Sequence, residues 1–111
     1  MDDTPTEILI ESAARFAALG HPARLGILRF IVQGEMAGTP VGEIQAALGI
    51  PPSTLSHHLS TLAKAQLVRI ERRGTTLLYR ADFEILQGLS AHLWENCCVR
   101  DPVRPSTKCC P

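Results

Sequence analysis

The chain has 111 residues, 45% hydrophobic but only 5% aromatic, with acidic and basic side chains in equal number. That length holds one domain with a core of Leu, Ile, Val and Ala, and a net charge of zero excludes a protein that coats polyanions through bulk charge. The charge is segregated, however: residues 1–11 carry Asp2, Asp3, Glu7 and Glu11 and no base, whereas residues 53–80 carry Lys64, Arg69, Arg72, Arg73 and Arg80 against Glu71 alone.

In chain order, "TEILIESAARFAAL" (Thr6 to Leu19) repeats Ile8, Leu9, Ser12 or Ala13, Phe16 and Leu19 at helical spacing, which predicts a helix ended by Gly20. No basic segment followed by an apolar run precedes it, so no signal peptide is expected. "HPARLGILRFIV" comes next. Pro22 suits a first helical position, and a helix apolar on most sides reads as the buried centre of the domain. Its run "LGILRFIV" contains Arg29 and is too short to cross a bilayer, so no membrane contact and a cytoplasmic location are expected. "QGEMAGT" reads as a loop with two glycines. "PVGEIQAALGI" predicts a short helix with Val41, Ile44, Ala47 and Leu48 on its buried face and Gly49 as its stop.

After "IPP", the stretch Ser53–Ala65 predicts a helix that buries Leu55, Leu59 and Leu62 and turns Ser53, His57, Thr61 and Lys64 outward. The period then changes to two. "VRIERR" and "TLLYRA" flank Gly74, which supplies the positive φ of a hairpin turn. Asp82 caps a last helix, "FEILQGLSAHLWENCC", whose stripe is Leu86, Leu89, Leu93 and Cys97, with Phe83 and Trp94 nearby. From Val99 onward, prolines and small polar residues predict an irregular tail. The expected fold is therefore mainly α (α+β), a winged helix-turn-helix with one β-hairpin wing and an extra helix at each end. It comprises a domain over residues 1–98 and a cysteine-bearing tail over residues 99–111.

The pair Val41–Gly49 and Ser53–Ala65 has the form of a helix-turn-helix. Its second helix opens on small hydroxyl residues. Ser53, Thr54 and Ser56 suit phosphates or base edges, and His57 and His58 can donate to phosphate or to base acceptors. Small residues there admit close approach to the groove, and the helix dipole favours phosphate. Arg72 and Arg73, in the hairpin tip "RRGT", suit the DNA backbone or a narrow minor groove. The plainer readings are that Ser53 serves as a helix cap and that His57 and His58 are solvated or packed. No nucleophile–base constellation is present, so neither an enzyme nor a catalytic cofactor is expected. The apolar stripes on the first and last helices exceed what one small domain needs, which implies a partner surface.

Together "HPARLGILRFI", "PSTLSHHLSTLAKAQLV" and "RRGTTLLYRA" resemble the ArsR/SmtB family of bacterial metal-sensing repressors, over roughly residues 10–98. The resemblance implies a bacterial, cytoplasmic homodimer built on the first and last helices. It implies binding to palindromic double-stranded operator DNA, ended when a metal or metalloid effector binds. Two familiar metal sites of the family are absent. A Cys-Val-Cys site would place its cysteines at Pro40 and Gly42, and an Asp-x-His…His-x-x-Glu site would need ligands at Tyr79 and Ala81 to join His92 and Glu95.

All four cysteines, Cys97, Cys98, Cys109 and Cys110, lie near the end of the chain as adjacent pairs. "ENCC" followed by a later cysteine resembles the arsenic-responsive subgroup, in which a Cys-Cys pair and a third cysteine hold trivalent arsenic. Cys97 and Cys98 match the pair, and either Cys109 or Cys110 is the third ligand. The chemistry agrees: soft thiolates select soft ions, and arsenic(III) takes three sulfurs in a pyramid, whereas tetrahedral zinc sites usually space their cysteines. A disulfide within a pair is disfavoured because successive Cα atoms are ~3.8 Å apart, below the usual span. A disulfide between pairs would make a redox switch. The expectation is a repressor released by arsenite or antimonite. The alternatives are methylarsenite, Cd, Pb or Zn, or thiol oxidation as the signal on the same fold, and, in a different class, a metal chaperone that does not bind DNA.

Overall fold

The computed structural model describes residues 5–103. The order is α1 (Thr6–Leu19), α2 (Pro22–Val32), β1 (Thr39–Pro40), α3 (Val41–Leu48), α4 (Pro52–Lys64), β2 (Val68–Arg73), β3 (Thr76–Ala81) and α5 (Phe83–His92). The three strands form an antiparallel sheet in the order β1-β3-β2. The hairpin pairs Val68 with Ala81 and Arg73 with Thr76, so its turn falls on Gly74, whose φ is 62°. Gly49, between α3 and α4, takes φ 64°, as a helix stop at that position requires.

The core is the one the apolar periods describe. Ile27, Leu28 and Ile31 of α2, Ile44 of α3 and the Leu55–Leu59–Leu62 stripe of α4 are buried together with Leu67, Val68, Tyr79 and Leu89. Pro22 stands in the first turn of α2, and the ring of His21 caps that helix by accepting the Ala23 N–H at Nδ1, 3.1 Å away.

Three local expectations are corrected. The "QGEMAGT" loop ends in β1, in which Thr39 pairs with Tyr79 and Pro40 with Leu78. A strand of two residues has no period of its own and exists because β3 offers it an edge. On α3, Ile44 is buried, but Ala47 and Leu48 are exposed, so the buried face is narrower than the sequence implies. Finally, α5 ends at His92 and does not run on to Cys98. Beyond it the chain continues in tight turns, Trp94 N–H to Ala91 O (2.9 Å), Cys97 N–H to Trp94 O (3.1 Å) and Val99 N–H to Asn96 O (3.0 Å). Asn96 and Cys98 take left-handed φ of 56° and 61°, which keeps the helical ladder from resuming.

Asp82 caps α5 as expected and also holds the wing. Its Oδ1 accepts the Ile85 N–H at 3.1 Å, its Oδ2 accepts Arg69 Nε of β2 at 2.8 Å, and its own N–H donates to Leu67 O at 3.0 Å. The Ile85 N–H, opposed by burial and aided by Arg69, keeps the carboxyl below its ordinary value of 3.8. A depressed carboxyl stabilises the fold above its unfolded pKa, and that contribution is lost as pH falls through the folded value. Asp82→Ala should therefore cost about 0.5–2 kcal/mol at neutral pH, the usual worth of a cap. Urea midpoints at neutral and acid pH check this, because the variant's deficit should shrink on acidification.

Candidate nucleic-acid interface and effector site

The α3–Gly49–α4 unit presents the start of α4 to solvent. The N-cap of α4 is Pro51, and no side chain caps the helix, so Ser53 is not spent as a cap. Ser53, Thr54, Ser56 and His57 are all exposed. The first-turn N–H groups of a helix have no intrahelical acceptor and carry the positive end of its dipole. Those donors and the neighbouring hydroxyls make a surface suited to phosphate.

His58 lies elsewhere. It is only 6% exposed and sits on the buried side of α4 beside Leu55 and Leu62. Its ring centre is 4.7 Å from that of His21 and 5.8 Å from that of His57, and its Nδ1 faces Arg24 Nη1 at 3.4 Å. A guanidinium only donates, so Nδ1 acts as acceptor and the ring stays neutral. Burial, reinforced by His21, Arg24 and His57, lowers the His58 pKa from 6.5. Of the two histidines singled out on this helix, only His57 stands on the open face, while His58 joins α4 to α2. A histidine with a lowered folded pKa stabilises the protein above its unfolded pKa and loses that contribution as pH falls from 6.5 through the folded value. The urea midpoint of the wild type should drop over that window, and that of His58→Gln should drop less.

Arg72 and Arg73 are exposed at the end of β2, beside the hairpin turn. Glu71 ties down part of this charge, since its Oε2 is 3.0 Å from Arg73 Nε and its Oε1 is 3.8 Å from Arg80 Nη2. Hydrogen bonding and charge from Arg73 hold the Glu71 pKa below its ordinary value. Among the described residues Arg72 makes no ion pair, so the wing offers it as the more available cation.

Cys97 and Cys98 lie in the turns after α5, half-buried, with Sγ atoms 3.5 Å apart. That separation is far beyond the roughly 2.05 Å of an S–S bond, so they are not bonded to each other. An open hollow of about 480 Å³ lies beside them, lined by Asn96, Cys98, Val99, Arg100 and Asp101. Among the described residues no three ligating side chains converge, so this pair alone does not complete a three-sulfur site. Cys109 and Cys110 lie outside the described residues. His92 and Glu95 form an ordinary pair, with Nδ1 and Oε2 3.6 Å apart.

Ile8, Leu9, Ile10 and Phe16 of α1, and Leu93 and Trp94 just past α5, are exposed. Among the described residues no helix is long and apolar enough to cross a membrane.

A helix-turn-helix domain family matches residues 19–71. The chain is 32% identical to the arsenical resistance operon repressor of Bacillus subtilis, over 89% of this chain and 90% of that one. It is 39% identical to the biofilm growth-associated repressor of Agrobacterium fabrum over 63% of this chain, spanning 57% of that protein. In three dimensions it is similar to the homodimeric winged helix-turn-helix DNA-binding domain Mb0332 of Mycobacterium bovis, described as a possible ArsR-family regulator. The TM-score is 0.68 and the identity 26%, covering 97% of this chain and 94% of that one.

Proposed function

This chain belongs to the ArsR family of winged helix-turn-helix transcriptional repressors, and from that premise we propose that it is an arsenic(III)-responsive member. It is a DNA-binding regulator and not an enzyme. In the proposed cycle, a reduced homodimer holds a palindromic operator and lets go when arsenite or antimonite binds.

The observation that carries this reading is the Cys97–Cys98 pair. Two sulfurs on one soft ion, with bonds of about 2.3 Å and an angle between a right angle and a little over 100°, lie about 3.3–3.6 Å apart. The pair stands at 3.5 Å. Cys109 or Cys110 supplies the third sulfur, carried back by the tail of residues 99–111. The arsenical resistance operon repressor supports the choice of metalloid. The exposed apolar residues of α1, with Leu93 and Trp94, support a dimer interface, as does the homodimeric Mycobacterium bovis domain. Ser53, Thr54, Ser56 and His57 meet the groove, His58 backs them from within, and Arg72 and Arg73 meet the DNA backbone. Arsenic bound at the end of α5 fixes the segment that joins the dimer interface to the tail. Asp82, at the other end of α5, passes the constraint to the wing through Arg69.

The closeness of the Cys97 and Cys98 sulfurs, 3.5 Å apart, also suits a second reading, in which oxidation of the cysteines is the signal. Anisotropy of a labelled operator separates the two. Under the first reading, arsenite in reducing buffer releases the DNA. If arsenite leaves it bound while peroxide releases it, the metalloid reading fails.

A further inference from the structure

Arg15 and Arg24 sit in largely apolar helices, and each reaches across to another one. Arg15 of α1 donates from Nε to the Ala65 carbonyl at 3.1 Å and from Nη2 to Gln66 Oε1 at 2.6 Å. Its side chain is only 17% exposed, with Glu11 Oε1 at 4.0 Å from Nη1. Ala65 is the C-cap of α4, where carbonyls lack intrahelical donors and the dipole is negative. Gln66 takes a left-handed φ of 65°, an uncommon conformation for a residue with a side chain, and Arg15 holds that side chain. Arg24 of α2 donates from Nε to Ala18 O of α1 at 2.6 Å and turns Nη1 toward His58 of α4 at 3.4 Å.

The recognition helix is thus tied to α1 at its C-terminal end directly and near its middle through Arg24. Between these ties, Ala14, Ala17 and Ala18 of α1 face Ala65 and Thr61 across an open hollow of about 430 Å³. Ala18 is buried in the core, but alanine methyls are short and an open hollow lies beside these three, so their direct interlocking with α4 is slight. The directional contacts of the two guanidinium groups span this loosely filled interface.

We propose that Arg15 and Arg24 are positioning residues that fix the angle of the recognition helix on the dimer-forming helix, and so the half-site spacing the repressor accepts. This rests on the homodimer reading above. Neither residue contacts DNA in this account. One inserted base pair moves the second half-site by about 3.4 Å and turns it by about 35°, so a rigid frame discriminates spacers and a loosened one does not.

The test uses the full chain, an operator selected with the wild type, and copies with the spacer one base pair shorter or longer. Arg15→Met and Arg24→Met keep an unbranched apolar stem. Each should lose several-fold of the wild-type preference for the parent spacing, while affinity for an isolated half-site and the slope of log K against log salt stay unchanged. Arg15→Lys, which keeps one charged donor, should restore part of the preference and carries the test if Arg15→Met does not fold. A wild-type spacing profile in Arg15→Met and Arg24→Met overturns the proposal, as does a salt slope shallower by about 0.9, the mark of a lost phosphate contact. A wild type that binds no duplex overturns the operator reading itself, and this inference with it.

Discussion

Cys97→Ser is expected to keep the operator affinity of the reduced protein and to lose its response to arsenite. Couplings of about 1–3 kcal/mol correspond to a roughly 5–150-fold change in affinity, and the wild type should show a weakening on that scale. Serine keeps the shape of cysteine but offers no soft thiolate, so the fold and the DNA face remain while the effector is lost. Cys98→Ser should behave alike, because a pyramidal centre needs both sulfurs of the pair. Cys109→Ser and Cys110→Ser should differ from each other: the one that supplies the third sulfur loses the response, and the other keeps it. A double replacement of Cys109 and Cys110 that still responds fully to methylarsenite would instead indicate a two-sulfur sensor. Operator anisotropy with and without the arsenical measures all five variants.

The second large effect concerns the DNA face. Thr54→Ala or His57→Ala should each cost about 1–3 kcal/mol of operator affinity where the side chain reads a base edge, and should relax the preference at one position of the half-site. Arg72→Ala should weaken binding on all sequences alike and make the salt slope shallower by about 0.9. Arg73→Ala should do less, because its guanidinium is already committed to Glu71 at 3.0 Å. Titrations of operator and scrambled duplex over a range of salt give both quantities. His58 follows a different rule. Its replacement should act through stability and its pH dependence, since the ring is enclosed among His21, His57 and Arg24.

Much of this was legible in the chain because short-range chemistry dictates it. Leu55, Leu59 and Leu62 announce a buried stripe by spacing alone, and all three are buried. Gly49 and Gly74 announce turns because they take positive φ without steric cost, and Asp82 announces a cap and makes one. What was missed depends on partners distant in sequence. β1 is set by β3. The end of α5 escaped because its apolar stripe continues through Leu93 after the backbone has left the helix. The burial of His58 did leave a trace, since position 58 stands three residues after Leu55 and four before Leu62 and so borders the buried stripe. The roles of Arg15 and Arg24 had only a weak trace, cations on largely apolar helices, and their partners are visible only in three dimensions.

In the proposed cycle, trivalent arsenic bound by three cysteine sulfurs beyond α5 releases the operator. Arsenite titrated into the reduced, operator-bound protein tests it, with anisotropy and arsenic-edge X-ray absorption read on the same samples. DNA release should track the growth of an arsenic species bound by sulfur alone, three to a centre, and both signals should be absent in Cys97→Ser. Arsenic fully bound by three sulfurs while the operator stays in place, or release by arsenite that persists in Cys97→Ser, would contradict it.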